Sequence, residues 1–286
     1  MNAPHAPVPR RWRPSAAIRA SAAWHGLAAL AVAAQPSAWS LALGAVAANH
    51  LALTAAGLWP RSRWLGPTLV RLPVAAAREG AVAMTIDDGP DPEVTPRLLD
   101  ALAAAGAHAT FFCIGEQVRR HPALARRIVA EGHALENHSM RHPVGFSWQG
   151  RRGFRREIGD AQALIADTVG QAPCWFRAPA GLRNPLLEPV LCEFGLHLAA
   201  WTRRGFDTRE RDPQRVWSRL MRAAAPGDVL LLHDGHAARD AAGVPVSAIV
   251  LPRVLGAWRE RGWRAVRLRD LPGGISPPRA PVGDGR

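Results

Sequence analysis

Residues 81–90 read Ala-Val-Ala-Met-Thr-Ile-Asp-Asp-Gly-Pro, and this stretch decides the fold prediction. Ala81–Ile86 is a run of apolar and β-forming residues, which predicts a buried strand. Two carboxylates and a Gly-Pro turn end it abruptly. Because side chains alternate along a strand, Asp87 and Asp88 should point in different directions at its carboxyl end. An Asp-Gly turn that merely leaves the strand is the competing interpretation of this motif alone.

The alternation of short apolar runs and helical segments continues from this strand to about Leu271. Further strands are predicted at Ala109–Ile114, His133–Asn137, Cys174–Arg177, Leu196–Trp201, Val229–Leu232 and Ala265–Leu268. Helices are predicted at Thr95–Ala105, Val118–Glu131, Arg155–Val169, Pro185–Phe194, Pro213–Ala224 and Val246–Arg261. Such alternation predicts a parallel α/β architecture, either a barrel or a doubly wound sheet.

Residues 1–75 form a basic and apolar region that differs from the rest of the chain. Two apolar stretches, at about 16–34 and 38–59, are separated by Pro36, and arginines flank their outer ends. Each stretch has the length of a membrane span, so we expect a hairpin of two membrane helices. The short connection carries no arginine. The positive-inside rule therefore places both termini, and the domain that follows, on the cytoplasmic side of the inner membrane.

Two other interpretations of this region stay open. A cleaved signal peptide, with Ala31-Val32-Ala33 as its cleavage site, would leave a periplasmic or secreted protein. An alanine-rich helical pair packed on the soluble domain is favoured by Asn49 and His50, since polar groups in lipid are costly. The domain itself is expected at residues 76–272. The Pro/Gly-rich residues 273–286 are expected to form a disordered tail.

The overall composition excludes several classes of protein. The chain has 286 residues, 48% hydrophobic and 21% charged, which argues against a disordered or fibrous protein. Three scattered cysteines are too few for a disulfide framework or a paired-cysteine zinc site. The net charge of +13 comes from arginine, because the chain has no lysine. These arginines are dispersed and show no basic-aromatic readout motif, so no nucleic-acid partner is expected.

Charged or imidazole side chains follow five of the predicted strands. In chain order they are Asp87 and Asp88, then His138 and His142, then Arg177, then Asp207, and finally His233 with Asp234. In parallel α/β folds the active groups gather just beyond the carboxyl ends of the strands. These side chains are therefore the candidate site residues.

Each of these residues, taken alone, also has a purely structural interpretation. His138 and His142, four residues apart on one face of a helical turn, could reach one metal ion, or they could be surface or capping histidines. Arg177 could clamp a carboxylate with its planar fork, or be one arginine among many. His233 could be a general acid, because histidine titrates near neutrality, or a rim histidine.

In their order along the chain, these motifs resemble those of the polysaccharide deacetylase (NodB-homology) family, carbohydrate esterase family 4. The matching segments are residues 85–90, 137–143, 176–181, 201–207 and 231–234. Five motifs in one order make a chance match implausible. The resemblance covers about residues 80–270 and does not extend to residues 1–70.

The resemblance implies an irregular (β/α) barrel that binds one divalent metal ion, usually zinc and sometimes cobalt or another transition metal. By motif position, the metal ligands are Asp88, His138 and His142. Asp87 corresponds to a general base that takes a proton from the attacking water. His233 corresponds to the general acid that protonates the leaving amine.

The remaining motif positions imply supporting and substrate-binding roles. Arg177 would orient Asp87, and Asp207 would tune and hold the acid. The backbone N–H of Ala180 corresponds to an oxyanion donor. Trp201 and Leu231 correspond to the walls of the acyl pocket.

The implied reaction is hydrolytic removal of an N-acetyl group from an amino sugar, in an N-acetylated polymer or a lipid-linked saccharide. A deformylase or imidase that acts on another amide with the same site is an alternative. A non-catalytic carbohydrate-binding protein or a basic nucleic-acid-binding protein is another. Two positions depart from the family, because Ala180 and Thr208 stand where bulky aromatic residues are usual. The loss of a pocket wall at Ala180 would admit a larger or different substrate.

Overall fold

The computed structural model describes residues 7–271, in which eight parallel strands form one curled sheet. The strands are β1 (Ala81–Asp87), β2 (Thr110–Cys113), β3 (Ala134–Asn137), β4 (Trp175–Phe176), β5 (His197–Leu198), β6 (Arg203–Arg204), β7 (Val229–His233) and β8 (Arg264–Ala265). Their spatial order is β5-β4-β3-β2-β1-β7-β6, and β8 pairs with the first residues of β1. Because the pairings are parallel, the strands that carry motifs end at the same edge of the sheet.

The two edges of this sheet come close together. β5 and β6 lie at opposite ends of the strand order, yet only residues 199–202 connect them. A stretch this short reaches at most about 18 Å, so the sheet must curl until its edges nearly meet. Residues 69–72 lie in the gap, because Leu69 bridges to Ala199 and the Leu72 N–H donates to the Gly227 carbonyl. The predicted α/β class and irregular barrel are confirmed.

Helices surround the sheet and begin the chain. They are α1 (Ala16–Ala34), α2 (Trp39–Leu58), α3 (Val74–Arg78), α4 (Val94–Ala104), α5 (Gly115–Arg120), α6 (Pro122–Ala130), α7 (Arg151–Val169), α8 (Leu187–Glu193), α9 (Pro213–Met221) and α10 (Val246–Glu260). The largest apolar core lies between the sheet and α4, α5, α6, α7, α9 and α10. A second core packs α8 against α7 and β4.

The alternation of side chains along β1 assigns its two faces. Val82, Met84 and Ile86 point outward into the core shared with the helices. Ala81 and Ala83 instead belong to a separate cluster inside the barrel. Since successive residues of a strand face opposite sides, Asp87 lies on the same interior face as Ala81 and Ala83. The strand thus delivers its terminal carboxylate into the barrel mouth.

The structure corrects two predicted helices. The helix predicted at Val118–Glu131 is two helices, α5 and α6, which meet at His121. Pro122 begins α6, and a proline disfavours helical geometry in the residue that precedes it. The helix predicted at Thr95–Ala105 begins instead at Val94. Thr95 is buried and donates its hydroxyl to Asp234 at 2.6 Å.

Other elements differ in length or were not predicted. The short helix α3 and the two-residue strand β6 are additional. The strand predicted at Leu196–Trp201 covers only β5, and the one predicted at Ala265–Leu268 covers only β8 and a following 3₁₀ turn. Strands of two residues carry too little periodicity to be read from a sequence. The tail predicted at residues 273–286 lies outside the described residues.

The predicted apolar helical hairpin is present as α1 and α2, joined by a 3₁₀ turn at Pro36–Ala38. Both helices are long and apolar enough to cross a membrane, and few of their residues are buried. The polar groups of the hairpin are paired with one another. Asn49 donates to the Ser21 hydroxyl at 2.8 Å, and the Nε2 atoms of His25 and His50 lie 3.1 Å apart. This pairing reduces the cost of placing Asn49 and His50 in an apolar helix.

The hairpin is attached to the barrel at both of its ends. Before α1, the Arg10 N–H donates to the Cys192 carbonyl of α8 at 2.8 Å. After α2, the Arg183 N–H donates to the Gly57 carbonyl at 3.1 Å. Leu65, Leu69 and Leu72 of the following segment are buried. The segment after the hairpin is therefore part of the folded body.

Two truncated chains test this attachment. A chain that begins at residue 75 loses the burial of Leu65, Leu69 and Leu72, each worth about 1.5 kcal/mol or more. We expect its free energy of unfolding in urea to fall at least about 4 kcal/mol below that of a chain that begins at residue 59. The second chain is the matched control, because it also lacks the hairpin but keeps the segment that fills the gap between the sheet edges. Equal unfolding free energies would show that residues 59–74 add no stability.

Candidate active site

Side chains from five strand ends meet at the carboxyl edge of the barrel. Asp87 ends β1 and His233 ends β7, and the two residues are register partners on adjacent strands. His138 directly follows β3, and Arg177 directly follows β4. Asp207 follows the additional strand β6 rather than the long strand predicted before it.

Asp88, His138 and His142 form a candidate metal centre. Each offers one ligand atom, and the three atoms lie within 4.8 Å of one another. The Nε2 atoms of His138 and His142 are 3.2 and 3.5 Å from Asp88 Oδ1. His138 Nδ1 lies 2.8 Å from the Arg177 carbonyl, which favours the tautomer that leaves the Nε2 lone pair facing the centre. One carboxylate and two imidazoles are donors that suit a divalent transition metal.

The loop that carries the two histidines is not the helical turn that the spacing predicted. Ser139 and His142 have φ angles of 66° and 52°, in the left-handed region. Asn137 Oδ1 accepts the Ser139 N–H at 2.9 Å, and the Ser139 hydroxyl accepts the His142 N–H at 3.0 Å. These side-chain hydrogen bonds hold an uncommon backbone conformation. The imidazoles converge because the loop folds back, with ring centroids 4.9 Å apart.

The electrostatics of this centre favour a cation. Burial opposes charge on Asp88, yet hydrogen bonds from His138 and His236, together with the charges of His138 and His233, hold its pKa well below the usual range. Burial also opposes charge on His138, but the carboxylates of Asp87 and Asp88 outweigh it and raise the pKa. Two buried carboxylates therefore draw positive charge to this point. Burial, and then repulsion from His138, lower the pKa of His142 to about 4, which keeps its imidazole neutral as a ligand must be.

A buried ion pair holds Asp87. Arg177 has no exposed surface, and its Nη1 atom donates to Asp87 Oδ1 at 2.6 Å and to the Thr85 hydroxyl at 2.9 Å. Its Nη2 atom donates to the Ala200 carbonyl at 2.8 Å. The guanidinium carbon lies 4.1 Å from the centroid of the Phe112 ring. These contacts fix the direction of the carboxylate.

A second carboxylate holds His233 from behind. Asp207 is fully buried, and its Oδ1 atom is 2.9 Å from His233 Nδ1. Its Oδ2 atom accepts the backbone N–H of His233 at 2.7 Å. Burial lowers the pKa of His233, but the charge and hydrogen bond of Asp207, followed by the charges of Asp87 and Asp88, raise it to about 9. Because Asp207 binds Nδ1, the Nε2 side of the His233 ring faces the cavity.

An open cavity of about 240 Å³ unites the site. Eight predicted residues line it: Asp87, Asp88, His138, His142, Ala180, Trp201, Leu231 and His233. The other two, Arg177 and Asp207, lie behind the wall and contact the residues that line it. The structure thus brings all ten predicted residues together.

Four further residues line this cavity without having been predicted as site residues: Gly181, Arg204, Thr208 and His236. His236 is 69% exposed, and its Nδ1 atom is 3.5 Å from Asp88 Oδ2. Its position three residues after His233 was the available signal. No sequence pattern indicated Arg204, because its position depends on the two-residue strand β6. Its guanidinium carbon lies 5.5 Å from the centroid of the Trp201 ring.

Two glycines allow close packing at and behind the cavity. A Cβ atom on Gly89 would lie 2.0 Å from the Asp234 carboxylate, which is buried against it. Gly181 has a φ of 74°, and a Cβ there would lie 2.6 Å from Trp201 and 2.7 Å from Pro60. The chain just beyond α2 therefore contacts the loop at the rim of the cavity.

The part of the chain that carries this site is similar to known proteins. Residues 75–199 match the family model described as polysaccharide deacetylase. The chain is 31% identical to the peptidoglycan-N-acetylglucosamine deacetylase of Bacillus cereus over 195 residues, which covers 68% of this chain and 88% of that protein. It is 33% identical to the chitooligosaccharide deacetylase of Sinorhizobium fredii, over 67% of this chain and 90% of that one. The chain belongs to the polysaccharide deacetylase family.

The solved structures agree with this membership. A peptidoglycan N-acetylglucosamine deacetylase in complex with an N-hydroxybenzamide is 26% identical, with a TM-score of 0.64 over 71% of this chain and 92% of that chain. The predicted family, carbohydrate esterase family 4, and the predicted enzyme class, a polysaccharide N-deacetylase, are confirmed. Family members are generally metal-dependent, and this member has a possible Asp/His metal site.

Proposed function

We propose that this family member removes N-acetyl groups from an amino-sugar polymer with one bound divalent metal ion, zinc in the first instance and cobalt as the alternative. The observation that carries the proposal is the convergence of Asp88, His138 and His142 within 4.8 Å on the cavity that Asp87 and His233 also line. The donor set and the excess of buried carboxylate fit such an ion. When bound, the ion supplies Lewis acidity, which makes water a nucleophile near neutral pH and polarises the amide carbonyl.

Asp87 acts as the general base in this proposal. Its Oδ1 atom is held by Arg177, whereas its Oδ2 atom lies 3.9 Å from His138 Nε2, on the side of the metal ligands. The bond to Arg177 fixes the carboxylate so that its second oxygen faces the attacking water. Asp87 takes the proton from that water as the carbon–oxygen bond forms. Arg177 is thereby a positioning residue, since it acts through Asp87.

His233 acts as the general acid in this proposal, and it lines the same cavity as Asp87. Amide hydrolysis expels a poor leaving group, so the departing nitrogen must receive a proton as the carbon–nitrogen bond breaks. Asp207 binds Nδ1 and raises the pKa of His233 to about 9, so the imidazolium is available at neutral pH. The Nε2 proton passes to the amine.

The remaining cavity walls suit a small acyl group. Trp201 and Leu231 form one apolar cluster with Ala200 beside the catalytic groups. Ala180 lines the cavity with a φ of 54°, and its N–H is the proposed oxyanion donor. Because Ala180 presents only a methyl group, a bulkier saccharide can approach the metal than in relatives that carry an aromatic residue there.

Hydrolysis of an amide other than an N-acetyl group is the second candidate function. The same base, acid and cation would hydrolyse a formamide or a cyclic imide, and the small side chain of Ala180 opens the cavity to such substrates. Initial rates on matched N-acetyl, N-formyl and cyclic-imide compounds separate these reactions. The highest kcat/KM on the N-acetyl sugar supports the deacetylase proposal, and a higher value on either of the others replaces it.

We further propose that the hairpin anchors the enzyme at a membrane. Its large apolar side chains are exposed, for example Leu27, Leu30 and Leu41, which are 61%, 68% and 77% accessible. Arg10, ahead of α1, packs on α8 and pairs with Glu188, so the start of the region is attached to the barrel. Cleavage of a signal peptide after Ala33 would remove these contacts. Attachment at both ends therefore favours an uncut hairpin.

The substrate pool depends on which side of the membrane the barrel faces. The relative named for peptidoglycan acts on a polymer that lies outside the cytoplasmic membrane, so it gives no support to the cytoplasmic placement predicted from the arginine distribution. A lipid-linked saccharide remains accessible on either face. A phosphatase fused to the C-terminus separates the two pools, since it is active only outside the cytoplasm.

Variants of the two neighbouring aspartates should separate metal binding from catalysis. Asp88→Asn is expected to lose bound metal and activity together, because it removes the carboxylate that lies next to both histidines of the proposed metal site. Asp87→Asn is expected to retain the metal while acetate release falls about 10²–10⁴-fold, the usual contribution of a general base. Metal content by mass spectrometry and acetate release from chito-oligosaccharides measure the two effects, and chelation should abolish the wild-type reaction. Asp160→Asn, at an exposed position of α7, is the control. Equal metal loss in both site variants would contradict the assignment.

Removal of the carboxylate behind His233 should narrow the active pH range. The folded-state pKa of His233 is raised, so the acid stays protonated until the pH rises through about 9. In Asp207→Asn the strongest contribution that raises this pKa is gone, and the alkaline limb of kcat should move about 1–2 pH units lower. Asp228→Asn, a buried carboxylate at the opposite end of β7, is the matched control. An unmoved alkaline limb in Asp207→Asn would exclude His233 as the acid.

Membrane attachment should survive alkaline carbonate. The full chain is expected in the membrane pellet after extraction at high pH, because its two apolar helices insert rather than adhere by charge. A chain that begins at residue 59 is expected in the supernatant. Release of the full chain by carbonate, or an N-terminus at residue 34 in the mature protein, would overturn the anchor.

A further inference from the structure

We propose that a pocket between the hairpin and the barrel binds the phosphate of an anionic phospholipid headgroup. The pocket has a volume of about 400 Å³, and its walls include Arg10, Arg11, Arg13, Ser15, Arg63 and Glu188. It is separate from the cavity that holds the candidate metal centre, with which it shares no lining residue. We refer to it as the arginine pocket.

The arginine pocket carries positive charge that the protein does not neutralise. Glu188 is its acidic side chain; it is 4% exposed and lies 3.5 Å from Arg10. Within residues 7–271, Arg11, Arg13 and Arg63 make no ion pair and no side-chain hydrogen bond. Arginines elsewhere are commonly paired, as Arg155 is with Glu193. Three free guanidinium groups around one pocket suit a phosphate, which their planar forks bind well.

The start of α1 adds to this attraction. Ser15 is the N-cap of a helix of 19 residues, and its hydroxyl accepts the Ile18 N–H at 3.3 Å. The amino end of a helix carries partial positive charge from its aligned peptide dipoles. Ser15 also lines the pocket. The helix therefore directs its positive end toward the same space as the arginines.

The position of the pocket identifies a lipid as the source of the phosphate. The outer ends of both apolar helices lie here, since Ser15 precedes α1 and its hydroxyl bonds to the Trp64 carbonyl beyond α2. Trp12, Trp59 and Trp64 are 40%, 65% and 60% exposed around these ends. Exposed tryptophan and arginine at the end of apolar helices are typical of the headgroup layer. If the hairpin spans a bilayer, the pocket opens at the level of the lipid phosphates.

The arginine pocket is connected to the active-site loop. Its walls include Gly66 and Glu188, and Arg183 donates from Nη2 to the Ser62 carbonyl at 2.5 Å and the Gly66 carbonyl at 3.5 Å. Arg183 lies two residues after Gly181, which lines the catalytic cavity. A headgroup that orders residues 62–68 would therefore also steady the rim that carries Ala180. We expect anionic lipid to raise the stability and the activity of the enzyme together.

This inference rests on the proposed membrane anchor, and lipid-dependent stability tests it separately. The full chain in a neutral maltoside detergent is heated with dioctanoyl phosphatidylglycerol, with dioctanoyl phosphatidylcholine, or with inorganic phosphate. We expect phosphatidylglycerol near saturation to raise Tm by about 5 °C, and the neutral lipid to leave it unchanged. An equal shift with both lipids, or an equal shift with inorganic phosphate, would overturn the assignment to an anionic headgroup.

Charge-matched triple variants locate the effect. Arg11→Gln/Arg13→Gln/Arg63→Gln should remove the shift with phosphatidylglycerol, while Arg78→Gln/Arg222→Gln/Arg259→Gln, an equal loss of exposed charge elsewhere, should keep it. Retention of the shift in the first variant, or its loss in both, would reject the pocket. Deacetylation of a soluble chito-oligosaccharide should rise at least about two-fold with phosphatidylglycerol in the control variant only. Carbonate extraction of the same chains reports on the anchor, so failure of the anchor and failure of the pocket give different results.

Discussion

The buried guanidinium of Arg177 is the contact on which the rest of the site depends. It joins three parts of the barrel, because it binds Asp87 and Thr85 on β1 and the Ala200 carbonyl near the seam, while its own carbonyl bonds to His138. Removing one partner of such a buried pair typically costs about 3–5 kcal/mol, since the other charge is left uncompensated. The same residue fixes the direction of the Asp87 carboxylate and, through its carbonyl, the orientation of the His138 ring. Stability and chemistry are therefore coupled at one side chain.

Two neighbouring carboxylates face different partners because β1 ends between them. Asp87 is the last residue of β1 and points into the barrel, where Arg177 binds it. Asp88 has a φ of 79°, which turns its carboxylate toward the two imidazoles instead. A similar division separates His233, which faces the cavity, from Asp234, which packs behind Gly89 and binds Thr95. The site thus gathers Asp87, His233 and the candidate metal centre around one cavity.

The hairpin is more than an appended segment. Residues 57–72 contact the loop at Gly181, bond to Arg183 and fill the gap where the two edges of the sheet come close together. A barrel whose edges do not fully pair leaves backbone groups that another segment must satisfy. In this chain the segment that follows the apolar helices satisfies them. The segment that follows the apolar helices consequently also shapes the rim of the cavity.

The sequence alone determined the parallel α/β class, the apolar hairpin and the strand-end side chains that meet in the cavity. These follow from local patterns, since periodicity and turn residues act over a few positions and parallel strands end at one edge. Only the tertiary structure decided the strand β6, the place of Arg204 on the cavity, and the arginine pocket. Each depends on contacts between residues far apart in the chain, such as Ser15 with Trp64. No local pattern encodes such contacts, because they form only when the barrel closes around its seam.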